Sequence, residues 1–123
     1  MNSLTTLKKR SEFLAANRGL RVARPGFVLL TIPNKGLGKR FGVTVTKKIG
    51  NAVVRNRMKR RLRELARQLL PLEGLADHDH VLIGRAGGIE RDFHRMREEL
   101  VVALKRASEG KGDPRRGRGR PKR

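Results

Sequence analysis

Between Asn51 and Leu70, apolar residues recur at Val54, Met58, Leu62, Leu65 and Leu69, one at every third or fourth position, and most of what separates them is arginine or lysine. That period, held over about five turns, predicts an amphipathic helix. Asn51 is placed to cap its start and Pro71 to stop it. At about 100° per residue, the apolar stripe spans roughly 80° measured from Val54. Arg55 and Lys59 follow one edge of the stripe, Arg57 and Arg61 the other, and Arg60, Arg63 and Arg67 fill the arc between. The stripe needs a layer to pack on, and the remaining arc needs counter-charge. From Lys47 through Lys48 to Arg67 the one acid is Glu64. A helix that is merely solubilised interleaves acids at i,i+4, so this pattern points the outer face at a polyanion. Arginine suits that task because its planar fork binds two phosphate oxygens or stacks on an unpaired base. Asn56 reads either as a hydrogen-bonding contact on that face or as a tolerated polar residue.

The rest of the chain supplies the layer. Residues 26–32 are apolar and β-branched, 33–38 carry turn chemistry, and 40–46 alternate with Phe41, Val43 and Val45 on one side. The two runs read as an antiparallel hairpin, preceded by a short strand near 20–23. Ser11 to Ala16, closed by Gly19, predicts a short helix with Ser11 as its cap, extending back toward Leu7. Residues 80–84 form a further strand, and the loop after it adds Arg85 to the basic surface. Phe93, Met96, Leu100, Ala103, Leu104 and Ala107 mark a last helix, with Glu90 and Asp92 at its positive end and Lys105 and Arg106 at its negative end. The result is an α+β class in one domain, 1–109, with helices on a small sheet. Beyond it, 110–123 reads as a disordered basic tail.

Charge and residue usage narrow the chemistry. The 123 residues carry a formal net charge of +20 and no cysteine. Disulfide frameworks, thiolate zinc sites and cysteine nucleophiles are thereby excluded. No signal-peptide-like or membrane-spanning apolar run occurs, so a soluble, cytoplasmic protein is expected. Self-repulsion of this size calls for a polyanion, and nucleic acid is the commonest one. With four Phe and no Tyr or Trp, a sheet that stacks bases on aromatic rings is disfavoured. Phe13 stays open between a core residue and a ring that stacks on a single-stranded base. Asp77-His78-Asp79-His80 invites a metal reading, but alternate residues of an extended segment diverge, and a polar approach to a strand explains it better. His94 has no serine and carboxylate at triad spacing. In the tail, Arg118-Gly119-Arg120-Pro121 is similar to a minor-groove hook, although a nonspecific polyelectrolyte arm accounts for it better. No catalytic residue and no metal site emerge.

The segment from Phe41 through Lys47-Lys48, Gly50-Asn51 and Arg55-Asn56-Arg57 to Lys59-Arg60-Arg61-Leu62-Arg63 resembles the signature of the bacterial ribonuclease P protein family. The likeness runs from about Lys8 to Ala107. It implies a two-layer αβββαβα sandwich with a left-handed βαβ crossover. It also implies a role as accessory subunit in 5′ maturation of precursor tRNA, with catalysis by the RNA subunit and its bound Mg²⁺. Arg55, Asn56, Arg57, Lys59, Arg60 and Arg63 are then the RNA-contacting helix, and Phe13 with Lys47, Arg55 and Lys59 lines a groove for the 5′ leader. The expected partners are the catalytic RNA and precursor tRNA, with no membrane and no obligate protein partner. Asn17 stands where the family often has a second aromatic. A general RNA-binding or ribosomal protein, a DNA-associated protein using the tail, and a catalyst in its own right are the competing classes.

Overall fold

The computed structural model describes residues 4–113. Phe27–Pro33 form strand β3, whose side chains alternate between two cores. Phe27 and Leu29 enter one, Val28 and Leu30 the other, as a period of two requires when both faces of a sheet are covered. Around β3 lie β1 (Leu4–Thr6), β2 (Leu20–Ala23), β4 (Lys39–Thr44) and β5 (His78–Gly84), in the order β1-β4-β5-β3-β2. β4 runs parallel to both β1 and β5, while β3 is antiparallel to β5 and to β2. Helices α2 (Ala52–Glu73) and α3 (Phe93–Ser108) pack on the first face. Helix α1 (Arg10–Ala16) covers part of the second.

This is the expected α+β architecture, with one added edge strand. Leu4–Thr6 is too short to show a pattern of its own, and it is fixed by parallel pairing with β4, Leu4 opposite Lys39 and Thr6 opposite Phe41. The expected hairpin does not form: β5 lies between β3 and β4. Val81 and Leu82 are each 1% exposed, and such an apolar run is satisfied only in the middle of a sheet with cover on both faces. Alternation in 40–46 identifies a strand but not its neighbour.

The helices match their stripes, with differences at the ends. Asn51 caps α2 by accepting the Val54 N–H at 3.0 Å. Ala66 and Leu70 are also fully buried, which widens the buried arc on the Lys59 side. Pro71 does not end the helix, which runs to Glu73. Proline forfeits one N–H bond, but Leu69 and Leu70 are anchored in the core and Lys39 Nζ donates to the Pro71 carbonyl at 2.7 Å. Ser11 lies inside α1 rather than capping it. The capping group is Glu12, whose Oε1 accepts the Lys8 and Lys9 N–H groups at 3.1 Å each. Asp92 caps α3 through the Arg95 N–H. Among the described residues no helix is long and apolar enough to cross a membrane.

The tail boundary also moves. Residues 110–113 turn off α3 and lie against β2, with the Asp113 N–H donating to the Arg21 carbonyl. The remainder of the expected tail, 114–123, falls outside the described residues.

Candidate nucleic-acid interface

On the second sheet face the register sets three rows: Arg40, Asp79 and Ile32; then Gly42, Val81 and Leu30; then Thr44, Ile83 and Val28. Helix α1 is fastened over the first row. Arg40 Nε and Nη2 donate to the two Asp79 oxygens at 2.8 and 2.9 Å, and Arg40 Nη1 donates to Glu12 Oε2 at 3.0 Å. Asn34 Nδ2 adds a bond to Asp79 Oδ1 at 2.9 Å. The Lys9 and Lys8 N–H groups, with Arg40, hold the Glu12 carboxyl below its usual range. Burial opposes ionisation of Asp79, but bonds from Arg40 and Asn34 outweigh it, and its pKa is also lowered.

With α1 held there, the Phe13 ring rests on Gly42. A Cβ at that position would lie 2.4 Å from Phe13 Cε1, so only glycine allows the approach. Beyond the ring, Leu30, Val81, Ile83 and Thr44 floor a groove of about 490 Å³. Phe13, Leu14 and Asn17 wall it, with Lys8 and Arg10 on its lining. An apolar floor under a basic rim accommodates an unpaired base with its phosphate directed outward.

The cationic run lies beyond the end of β4. Lys47 and Lys48 are exposed on a short 3-10 turn, Lys47–Ile49, that leads into α2. Arg55 Nε donates to the Gly50 carbonyl at 3.1 Å and fastens that turn to the helix. Asn56, Arg57 and Arg60 surround a shallow depression with Val53, which is 76% exposed. Arg63 and Arg67 continue the face, and Lys59 is half-buried at its edge. Among the described residues no cation of α2 forms an ion pair. Glu64 accepts instead from Gln68, which in turn accepts from Arg97 of α3.

Lys47, Arg55 and Lys59 are not among the residues that line the Phe13 groove, and one expected outward contact is placed otherwise. Arg61 turns inward: Nη2 donates to the Arg91 carbonyl and contacts Met96 Sδ at 3.3 Å, and the guanidinium lies 5.7 Å from the Phe93 ring centroid. It clamps α2 to α3 rather than facing outward. Arg85 is exposed but tethered, with Nη1 donating to the Arg24 carbonyl at 3.0 Å. The four residues from Asp77 diverge as their alternation requires. Asp77 accepts the Gly38 N–H, and Asp79 faces Arg40. His80 is buried with Nε2 accepting the Leu75 N–H at 3.0 Å, which leaves Nδ1 to donate to the Arg40 carbonyl. Among the described residues no three His, Asp or Glu side chains converge to hold a metal. Lys8 and Arg10, the basic neighbours of Phe13 in sequence, line the groove with Leu14 and Thr44, which sequence reasoning missed. Thr44 joins them through the strand order, which no local pattern carries.

An apolar groove with a basic rim on one face of a small sheet, and an unpaired cationic helix packed on the other, define an RNA-binding protein without a catalytic constellation among its described residues. The sequence matches the Ribonuclease P family over residues 1–108. It is 75% identical to the ribonuclease P protein component of Erythrobacter litoralis, covering 93% of this chain and 94% of that one. It is 42% identical to the corresponding protein of Paramagnetospirillum magneticum, covering 84% and 82%. Its structure is similar to the RNase P protein from Thermotoga maritima, with a TM-score of 0.71 at 32% identity, covering 82% of this chain and 96% of that one. The Staphylococcus aureus RNase P protein gives 0.67 at 29%, covering 83% and 95%. The chain belongs to the ribonuclease P protein family. It is an accessory subunit of the endoribonuclease that matures tRNA 5′ ends.

Proposed function

We propose that this subunit works by holding two RNAs: its groove takes the single-stranded 5′ leader of precursor tRNA, and the outer face of α2 takes phosphates of the catalytic RNA. The observation that carries this is the Phe13 groove, apolar below and basic at the rim, on a domain whose α2 cations have no acidic partners among the described residues. Asn56, Arg57, Arg60, Arg63 and Arg67 supply the contacts to the RNA subunit, and Lys47, Lys48, Arg55 and Lys59 the flank nearest the sheet. Asn17 in the wall, in place of a second aromatic, leaves stacking to Phe13 and adds an amide that hydrogen-bonds. Glu12 and Asp79 are both engaged by Arg40, and Mg²⁺ would be held mainly by the RNA. There it would supply Lewis-acid chemistry, while the protein neutralises phosphate repulsion that would otherwise oppose assembly. The subunit acts in the cytoplasm and needs no other protein.

The test is 5′ processing of a labelled precursor tRNA at low Mg²⁺, with bacterial ribonuclease P RNA alone, this protein alone, and both. Cleavage rescued only in the mixture is the expected result. No effect on a competent cognate RNA would sink the reading.

A further inference from the structure

Helix α1 carries Phe13 but is only seven residues long, too short to keep its place by its own hydrogen bonds. Its C-terminal end is pinned to β3, where Ala16 is fully buried and a Cβ at Gly19 would fall 1.8 Å from the Thr31 carbonyl oxygen. Its N-terminal end depends on one carboxylate. Glu12 Oε1 accepts the Lys8 and Lys9 N–H groups, and Oε2 accepts from Arg40 Nη1. Glu12 therefore both starts the helix and ties it to β4.

Arg40 divides its donors between two acids. Nη1 reaches Glu12, while Nε and Nη2 hold both oxygens of Asp79, which is buried in β5 directly opposite Arg40 in the register. Among the described residues Arg40 is the one basic side chain paired with two acids, so in a chain of net charge +20 this cation is turned away from RNA and toward the fold. A lysine carries the same charge on a single nitrogen and cannot reproduce the planar fork that joins the two carboxylates. Arg40 and Gly42 lie two residues apart on one face of β4, a separation of about 7 Å, and Glu12 and Phe13 are consecutive in α1. The Arg40–Glu12 pair and the contact of the Phe13 ring with Gly42 are thus neighbouring fastenings of one short helix.

We propose that Arg40 is a positioning residue for the single-stranded 5′ leader of precursor tRNA. It is not among the residues that line the Phe13 groove, yet its bridge from Asp79 to Glu12 sets the height of α1 over the sheet, and with it the gap between Phe13 and the groove floor. This rests on the reading of that groove as the leader site. Arg40 acts on the leader through geometry and not through its charge, which two carboxylates already neutralise.

The test measures binding of the holoenzyme, assembled with cognate ribonuclease P RNA, to precursor tRNA with a long leader and to tRNA without one. The variants are Arg40→Lys, Glu12→Gln, Phe13→Ala, and Arg40→Lys combined with Phe13→Ala. Arg40→Lys conserves charge, so it should weaken binding of the long leader about tenfold through geometry alone. Binding of leaderless tRNA, assembly with the RNA subunit and the salt slopes of both should not change. Glu12→Gln leaves the Arg40–Asp79 pair in place and removes an acid from a basic chain. Charge alone would make it bind RNA more tightly, whereas loss of the fastening weakens the long leader, here by about threefold. On the Phe13→Ala background Arg40→Lys should add nothing, because both act on the same ring. Normal binding of the long leader by Arg40→Lys, equal losses on the two tRNAs, a tighter Glu12→Gln variant, or additive losses in the double variant would each overturn the proposal. Should Arg40→Lys fail to fold, Glu12→Gln decides the matter. Phe13→Ala separates the two readings: if it spares the long leader, the groove is not the leader site, and if it weakens the long leader while Arg40→Lys does not, only the role of Arg40 falls.

Discussion

A Cβ added at Gly42 would lie 2.4 and 2.5 Å from Phe13 Cε1 and Cζ, well inside van der Waals contact, so Gly42→Ala must push the ring into the groove. The expected outcome is about a tenfold loss, near 1.4 kcal/mol, in affinity for precursor tRNA with a long leader. Affinity for tRNA lacking a leader, and for the RNA subunit, should be unchanged. Equal losses on both tRNAs would show that the groove does not hold the leader. Arg61 and Arg60 are neighbours with opposite duties. Arg61→Ala removes a charged bond to the Arg91 carbonyl and the contact with Phe93, so it should cost about 1–3 kcal/mol in denaturant unfolding and leave the RNA salt slope alone. Arg60→Ala should do the reverse, lowering the slope by about 0.7–0.9 at nearly constant stability. Adjacent arginines read alike in sequence. Here Arg61 sits at the stripe edge facing α3, and the neighbouring helix sets its role.

Helix α2 is the element most legible in the sequence, because a 3.6 period and a charge imbalance are both local. Replacing Arg57, Arg60 and Arg63 together by alanine should lower the salt slope for assembly with the RNA subunit by about 2 to 3 and leave the circular dichroism spectrum intact. A slope that does not move would remove α2 from the interface. The groove was less legible. Phe13 was open between core and stacking in the sequence, and it lies between the two, half-buried on Gly42 with its ring in the groove wall. The floor joins Thr44 of β4, Leu30 of β3 and Val81 and Ile83 of β5, and their neighbourhood depends on β5 lying between the other two. Strand periodicity assigns faces but not partners, so the hairpin reading failed where a long-range crossover decided the order. The contact of Asp113 with β2 was hidden for a related reason: a lone acid in a basic run acquires meaning only when β2 presents an open edge to it.

For the whole molecule, pH and charge act in the same direction. His80 bridges the Leu75 N–H and the Arg40 carbonyl and is neutral there, because burial pushes its pKa down from 6.5 to about 4. Between those values the unfolded chain binds the proton and the folded one does not, so stability rises with pH through the window. The contribution is complete above about 6.5 and lost as pH falls to about 4. A difference of this size corresponds to roughly 3 kcal/mol, a large share of what a small domain possesses. The lowered pKa values of Asp79 and Glu12 extend the loss to still lower pH with the same sign. Acid also removes carboxylate charge from a chain already at +20, adding self-repulsion that a bound RNA would relieve. His80→Gln separates the sources, since a side-chain amide can both accept from Leu75 and donate to Arg40 without titrating near neutrality. Thermal melts of the wild type should fall steeply from pH 7 to pH 5, and those of His80→Gln should be nearly flat over the same range. An equal fall in both would assign the acid sensitivity to net charge, and in that case saturating RNA should abolish it.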